Sequence, residues 1–241
     1  MQEPKKSLSQ NFIKDKNICK KIIKQTNINN RNIIEIGPGY GYLTDVILEE
    51  KPTFLYLIEK DYNLFKYLKN KYSDFKNIKL INEDVLKIDF NNFKKVNIIS
   101  NLPYNISSKI ILRLFEYPMM IEEMVLMIQK EMAIKFNYNK KKLNKYKFLN
   151  KLSCDYEECF KVPPNVFYPK PKIDSTVVKF KFKKKLADLN KANMFSNLIF
   201  KNKRKKINNN LKITDKNLQI IANKRVDEIS ISQLISIYNS F

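Results

Sequence analysis

The sequence predicts an α/β chain, a Rossmann-like domain built on a parallel sheet and followed by a small helical C-terminal domain. Three observations lead there. From residue 32 onward, short β-branched runs alternate with segments of helical periodicity, the pattern of strands joined by crossover helices. The chain has 3 glycines, and Gly37, Gly39 and Gly41 all fall in one stretch, EIGPGYG, directly after the first such run. A doubly wound sheet places its ligand-binding turn at that point. From about Leu186 the strand pattern stops, and apolar positions recur at helical spacing between basic turns.

Taken in order, Asn32–Ile36 (NIIEI) reads as a strand ended by Gly37, and Tyr42–Glu49 as a helix. Phe54–Ile58 is the second strand, residues 61–72 a helix, Ile78–Ile81 the third strand and residues 96–100 the fourth. A helix over residues 107–115, capped by Ser107, a strand over 124–128 and a helix over 130–136 follow. Residues 140–151 carry so many lysines that they are expected to form a loop, and Ser175–Phe182 alternates as a strand. The expected domains are therefore 1–185 and 186–241. No internal repeat is seen.

A chain of 241 residues, 44% hydrophobic, can bury a full core and carry a lesser module besides. Its longest apolar stretches fall well short of the 18 or so residues of a membrane span, and the first 30 residues lack the apolar run of a secretory signal. A cytoplasmic protein with no membrane association is expected. Cys19, Cys154 and Cys159 are odd in number and irregularly spaced, which fits buried free thiols better than disulfides or zinc. With no histidine in the chain, the commonest metal ligand and general base are both excluded, and no metal is expected. The net charge of +22 favours a nucleic-acid partner. Lysine-rich coding bias inflates such totals, so where the cations cluster matters more than their sum.

Glycine permits positive φ and close approach of backbone to a ligand, which a loop wrapped round a cofactor requires. The spacing is neither the phosphate-binding G-x-G-x-x-G nor a P-loop, so a cofactor bearing adenosine without phosphates fits better. Glu59, after the second strand, is placed to accept from both hydroxyls of a ribose, and Asp84, after the third, from an adenine amine. At the end of the fourth strand stand Asn101, Leu102, Pro103 and Tyr104. An exocyclic amine on a base is a poor nucleophile because its lone pair is delocalised into the ring. Acceptors aimed at its N–H bonds, the Asn101 side-chain oxygen and a backbone carbonyl held by Pro103, favour the pyramidal form that can attack. Tyr104 offers a face on which an extruded base can stack.

With these residues in this order, the sequence resembles the ribosomal RNA adenine N6,N6-dimethyltransferases of the KsgA type over almost its whole length. The matching segments are SLSQNFI from Ser7, EIGPG from Glu35, NLPYNIS from Asn101, QKE from Gln129, FYPKPKIDS from Phe167, FKNKRKKINNNL from Phe200 and residues 225–230. The resemblance implies S-adenosylmethionine as cofactor, held by Gln10, Asn11 and Ile13 from an N-terminal segment, by Gly37 and Gly39, and by Glu59, Asp84 and Asn101. It implies that Asn101 contacts the acceptor amine, and that Tyr104 and Phe167 sandwich the target base. It further implies dimethylation of two adjacent adenosines in the 3'-terminal hairpin loop of small-subunit ribosomal RNA within a pre-ribosomal particle; a monomer is expected. Lys135, Lys147 and Asp227 depart from the family pattern, which has arginine, glycine and glutamate there.

The competing readings are a large-subunit adenine N6-methyltransferase of the antibiotic-resistance type, a mainly non-catalytic assembly factor and a DNA adenine methyltransferase. The segments from Phe200 and from Arg225 argue against the first, the intact Asn101–Tyr104 tetrapeptide against the second, and the absence of a target-recognition insert against the third. Lys201, Lys203, Arg204, Lys205 and Lys206 are expected to lie on a helix, with Phe200, Ile207 and Leu211 anchoring one face and the cations facing RNA phosphates.

Overall fold

A computed structural model describes residues 11–185, 187–211, 213 and 215–241. Gln10, with the rest of residues 7–10, and the expected boundary residue Leu186 lie outside them. The chain forms two compact units. One comprises the described residues up to Ala133 with Glu157–Phe182, the other Ile134–Tyr156 with the described residues from Lys183 onward. The second unit thus includes a stretch, residues 134–156, that the sequence reading assigns to the first domain.

The first unit begins with β1 (Phe12–Ile13) and α1 (Lys16–Ile23), whose first turn is capped by the Asp15 carboxylate accepting from the amides of Asn17 and Ile18. There follow β2 (Asn32–Ile36), α2 (Tyr42–Glu49), β3 (Phe54–Ile58), α3 (Tyr62–Lys71), β4 (Ile78–Ile81), β5 (Val96–Asn101), α4 (Ser107–Leu114), β6 (Ile121–Gln129) and α5 (Lys130–Phe136). Periodicity locates β2, β3 and β4 to the residue, because their apolar runs are closed sharply by Gly, Glu or Asn. Two corrections concern α4 and the segment after α5. Ser107 is the first helical residue rather than the cap, its hydroxyl donating to the Tyr104 carbonyl at 3.2 Å.

Residues 140–151, expected as a loop, contain most of α6 (Lys145–Ser153). Asn144 caps it by accepting from the Lys147 amide at 3.0 Å, and Phe148 and Leu149 turn inward. The lysines hide this period from the sequence because a lysine reads as solvated although its stem, and in Lys147 the whole side chain, can pack inward. Next come β7 (Cys154–Val162), β8 (Phe167–Tyr168) and β9 (Ser175–Phe182). The main sheet has the order β4-β3-β2-β5-β6-β9-β7. Its strands β2 to β6 run parallel, and β9 returns antiparallel to β6. Four of the five positions of β2 are buried, as a central strand covered on both faces requires.

In the second unit, α6 packs on α7 (Leu189–Lys201) and α9 (Ile231–Ser240), with α8 (Gln219–Ala222) between them in the chain. Phe148, Phe195 and Tyr238 supply its aromatic core, with ring centroids 5.2 to 5.5 Å apart. Cys19 and Cys154 are buried, while Cys159 is only half-buried. Among the described residues, no helix is long and apolar enough to cross a membrane.

Candidate functional site

The chain leaves β2 for β3 and β4 at one edge, then crosses back to lay β5 on the other side of β2. At such a switch point the loops diverge and leave a crevice beyond the carboxyl ends of the strands. A pocket opens there. Asn11, Ile13, Gly37, Gly39, Glu59, Asp84, Asn101, Leu102, Pro103 and Tyr104 all line it, so residues from separate stretches of sequence meet in one place.

The loop after β2 has φ of +66° at Gly37, +61° at Gly39 and +80° at Gly41, values that side chains rarely tolerate. A Cβ on Gly37 would project into open space, whereas one on Gly39 would lie 2.7 Å from the Phe12 ring. The loop is also held from behind. The Lys71 ammonium donates to the Tyr40 carbonyl at 3.1 Å and pairs with Asp45 at 2.7 Å. The Tyr72 hydroxyl reaches Asp45 Oδ1 at 2.7 Å and lies 3.1 Å from the Gly41 carbonyl.

Two carboxylates frame the next wall. Glu59 accepts from the amides of Gly39 (3.2 Å) and Asp61 (2.8 Å). Burial pushes its pKa up, while those amides pull it down. Asp84 accepts from the Leu86 amide at 3.0 Å and pairs with Lys60 at 2.9 Å, a bond that holds its carboxyl below the usual range. Because the Lys60 side chain is 58% exposed, it can swing aside for a ligand amine at little cost.

Glu35 is another acid of the pocket wall, and sequence reasoning gave it no role. Its carboxylate accepts from the Thr44 hydroxyl at 2.6 Å, tying β2 to α2 beneath the glycine loop. Burial pushes its pKa from 4.5 up to about 8, with the Thr44 bond opposing. A carboxyl whose folded pKa is raised binds its proton more tightly when folded. Its stabilising effect is therefore complete at low pH and is lost as pH rises from the unfolded value through about 8. In this window Glu35 should lower the ligand-free protein's stability by up to about 1.4 kcal/mol per pH unit. Glu35→Gln should flatten that slope in urea titrations. If the two proteins share one pH profile, the glutamate is charged in the fold.

Asn101 ends β5. Its Nδ2 donates to the Asn11 carbonyl at 2.8 Å, and its Oδ1 is buried with no hydrogen-bond partner among the described residues. A buried unpaired acceptor costs roughly 1 to 3 kcal/mol and is a site where a ligand N–H can bind. The Asn11 carbonyl fixes the amide, so that the oxygen is the free end. Asn11 is brought there by a pairing invisible in the sequence: β1 and β8 form a separate two-stranded antiparallel sheet, with Phe12 opposite Tyr168 and Ile13 opposite Phe167. Tyr104, half-buried, has its hydroxyl 2.6 Å from Ser175 Oγ at the start of β9. Phe167 departs from expectation. It is 5% exposed and belongs to the core cluster with Ile13 and Val162 rather than to the pocket lining, because pairing with β1 turns its ring inward.

Lys201, Lys203, Arg204, Lys205 and Lys206 are all exposed, but all except Lys201 lie beyond the end of α7 rather than on a helix. After Lys201 the chain turns, and Ile207 and Leu211 are the buried anchors of this segment while Phe200 is only half-buried. Asn202 and the cations that follow cannot continue the helix once no apolar residue pays for ordering another turn. Sequence reasoning missed Ser175 and the Asn11 carbonyl as supports of the site, since neither bears a signal in its own neighbourhood.

This fold, with its glycine loop and Asn101-Leu102-Pro103-Tyr104 at the switch point, is that of a Rossmann-like methyltransferase. The match to solved structures agrees. A dimethyladenosine transferase from Plasmodium falciparum superposes with a TM-score of 0.78 at 24% identity, over 94% of this chain and 95% of the other. The 23S rRNA methyltransferase ErmE gives 0.78 at 22% identity, over 95% and 98%. In sequence, the chain is 41% identical to a ribosomal RNA small subunit methyltransferase A from Malacoplasma penetrans, over 86% of this chain and 77% of that one. A protein of the same name from a Hydrogenobaculum strain is 34% identical over 100% of this chain and 94% of that one. Residues 1–241 match the family described as ribosomal RNA adenine dimethylase. The chain belongs to that family.

Proposed function

We propose that this protein transfers methyl groups to the N6 amines of two adjacent adenosines in the 3'-terminal hairpin loop of small-subunit ribosomal RNA. It would act as a monomer in the cytoplasm, on a pre-ribosomal particle. The observation that carries the chemistry is the buried, unpartnered Oδ1 of Asn101, a residue that lines the pocket beside the glycine loop. S-adenosylmethionine, when bound, supplies a sulfonium methyl that needs no metal or acid to activate it.

The residues present fit that cofactor. Gly37 leaves open space at the pocket wall, Glu59 has lone pairs left for ribose hydroxyls, and Asp84 can accept an adenine amine once Lys60 moves. Asn11, Ile13, Gly39 and, from outside the described residues, Gln10 complete the holding set. Asn101 Oδ1 and the Leu102 carbonyl, held by Pro103, accept the two N–H bonds of the target amine. Its nitrogen lone pair is thereby turned toward the methyl. Tyr104, anchored through Ser175, gives the extruded base a stacking face, while Phe167 backs the site through the β1–β8 pairing. The second unit is assigned to RNA, with Lys201, Lys203, Arg204, Lys205 and Lys206 contacting phosphates without reading bases.

The small-subunit reading is favoured over the large-subunit one by the relatives in sequence, since the two solved structures above fit equally well. Incubating the purified chain and labelled cofactor with immature small subunits, large subunits and DNA decides it. Label in small-subunit RNA is expected, and label confined to either alternative overturns the reading. Glu59→Ala should weaken cofactor binding by roughly 1.5 to 3 kcal/mol, the loss of hydrogen bonds to a charged group. Unchanged affinity by calorimetry removes Glu59 from the ribose site.

A further inference from the structure

The second unit holds a buried cation that, among the described residues, forms no ion pair with a carboxylate. Lys147 is 2% exposed, and its ammonium donates to the carbonyls of Lys140 (2.8 Å) and Lys141 (2.7 Å). Burial lowers its pKa, and the charge on Lys140 lowers it further. From residue 134 to residue 154 the sequence contains no acidic residue at all. Among the described residues, Lys140, Lys141, Lys142, Lys145 and Lys147 take part in no ion pair. Burying an ammonium against carbonyls alone is unfavourable unless it secures something else.

What it secures is the backbone of one short loop. The turn is closed by the Lys140 amide on the Asn137 carbonyl at 3.2 Å and by the Asn139 amide on Asn137 Oδ1 at 3.0 Å. Lys142 sits at φ +64°, and Asn144 then caps α6. With its carbonyls drawn inward to Lys147, the loop leaves the side chains of Lys140, Lys141 and Lys142 exposed. The packing of α6 on α7 fixes where they emerge. Lys145 Nζ donates to Asn197 Oδ1 at 3.0 Å, and the Phe148 ring meets that of Phe195. Lys145, the first residue of α6, thus reaches Asn197, which stands one turn before Lys201 ends α7. Two basic segments, neither with an ion pair among the described residues, flank that contact and can present one edge. Such an edge repels itself and is relieved by a polyanion, whose condensed counterions it releases.

We propose that the loop of residues 140–144 is a phosphate-binding surface for the RNA substrate, shaped from within by the Lys147 ammonium and continuous with the run from Lys201 to Lys206. This deepens the substrate reading above and rests on it.

The full chain is titrated, without cofactor, against an RNA hairpin presenting two adjacent adenosines in its loop, over a series of salt concentrations. Replacing Lys140, Lys141 and Lys142 together by glutamine should reduce the log–log salt slope by about two units, since each phosphate that a cation neutralises accounts for roughly 0.7 to 0.9. Cofactor affinity should not change. Lys147→Met keeps the stem and removes the charge. It should weaken RNA binding severalfold and speed tryptic cleavage after residues 140–142, which bound RNA slows in the wild type. The triple variant changes only exposed side chains, so it tests the surface even where Lys147→Met unfolds. A triple variant with the wild-type slope overturns the proposal. So does one that binds naked hairpin normally but ribosomal particles poorly, since the loop then meets protein. A wild-type chain with no affinity for the hairpin overturns the substrate reading and this surface with it.

Discussion

Asn101→Ala should lower the methyl-transfer rate by at least about 100- to 1,000-fold, the loss typical of removing one oriented dipole from a water-excluded reacting centre, while cofactor affinity stays within a few-fold. Geometry is the reason. Asn101 Nδ2 is tied to the Asn11 carbonyl, leaving Oδ1 buried and unpartnered. Among the described residues that oxygen has no partner, so removing it takes away an interaction made chiefly as the amine pyramidalises. The loss falls on turnover more than on binding. Asn101→Asp separates acceptor from anchor: it keeps an acceptor and loses the Nδ2 donor, and its rate should lie between alanine and wild type. Single-turnover rates and calorimetry give the two readouts. An alanine variant that turns over like the wild type sinks the mechanism.

Gly41→Ala should be the most damaging small substitution in the cofactor loop. Gly41 starts α2 at φ +80°, where an alanine costs about 1 to 2 kcal/mol. Its Cβ would lie 2.2 Å from the Tyr72 hydroxyl oxygen and 3.1 Å from Lys71 Nζ. Tyr72 is 4% exposed and bonded to Asp45, so it cannot swing away. Overpacking of this kind adds about 1 to 3 kcal/mol, giving a total loss of roughly 2 to 5 kcal/mol in urea unfolding, with cofactor binding abolished as the loop shifts. Adding Tyr72→Phe removes the colliding oxygen and leaves the nearest ring carbon 3.1 Å away. The double variant should therefore regain the packing share and not the backbone share. Equal stability of the single variant and the wild type would show that the loop is not held against α3.

Much of the architecture was legible because it is written in local chemistry. β2, β3 and β4 are runs rich in Ile and Leu closed by Gly, Glu and Asn, and a parallel sheet is the arrangement that buries such runs, most fully in the central β2 and least in the edge strand β4. The glycine loop stood out because the chain has no glycine elsewhere to obscure it. Gly37, Glu59, Asp84 and Asn101 each stand at or just past a strand's end, so knowing the strands was enough to bring them to one edge of the sheet.

By itself, then, the sequence determined the class of fold, the family and the residues at the strand ends. It also marked the presence of two lysine-rich segments. Only the tertiary structure decided what depends on contacts between distant segments. The pairing of Phe12 with Tyr168 carries Asn11 to Asn101 and turns Phe167 into the core. The inward turn of Phe148 and Leu149 makes a helix of a stretch whose lysines read as loop, and puts the Lys147 ammonium beneath the carbonyls of Lys140 and Lys141. The reason is physical. Periodicity and turn chemistry report energies between residues a few positions apart, whereas register between distant strands, and the burial of a charge, are settled by which surfaces find each other when the chain closes.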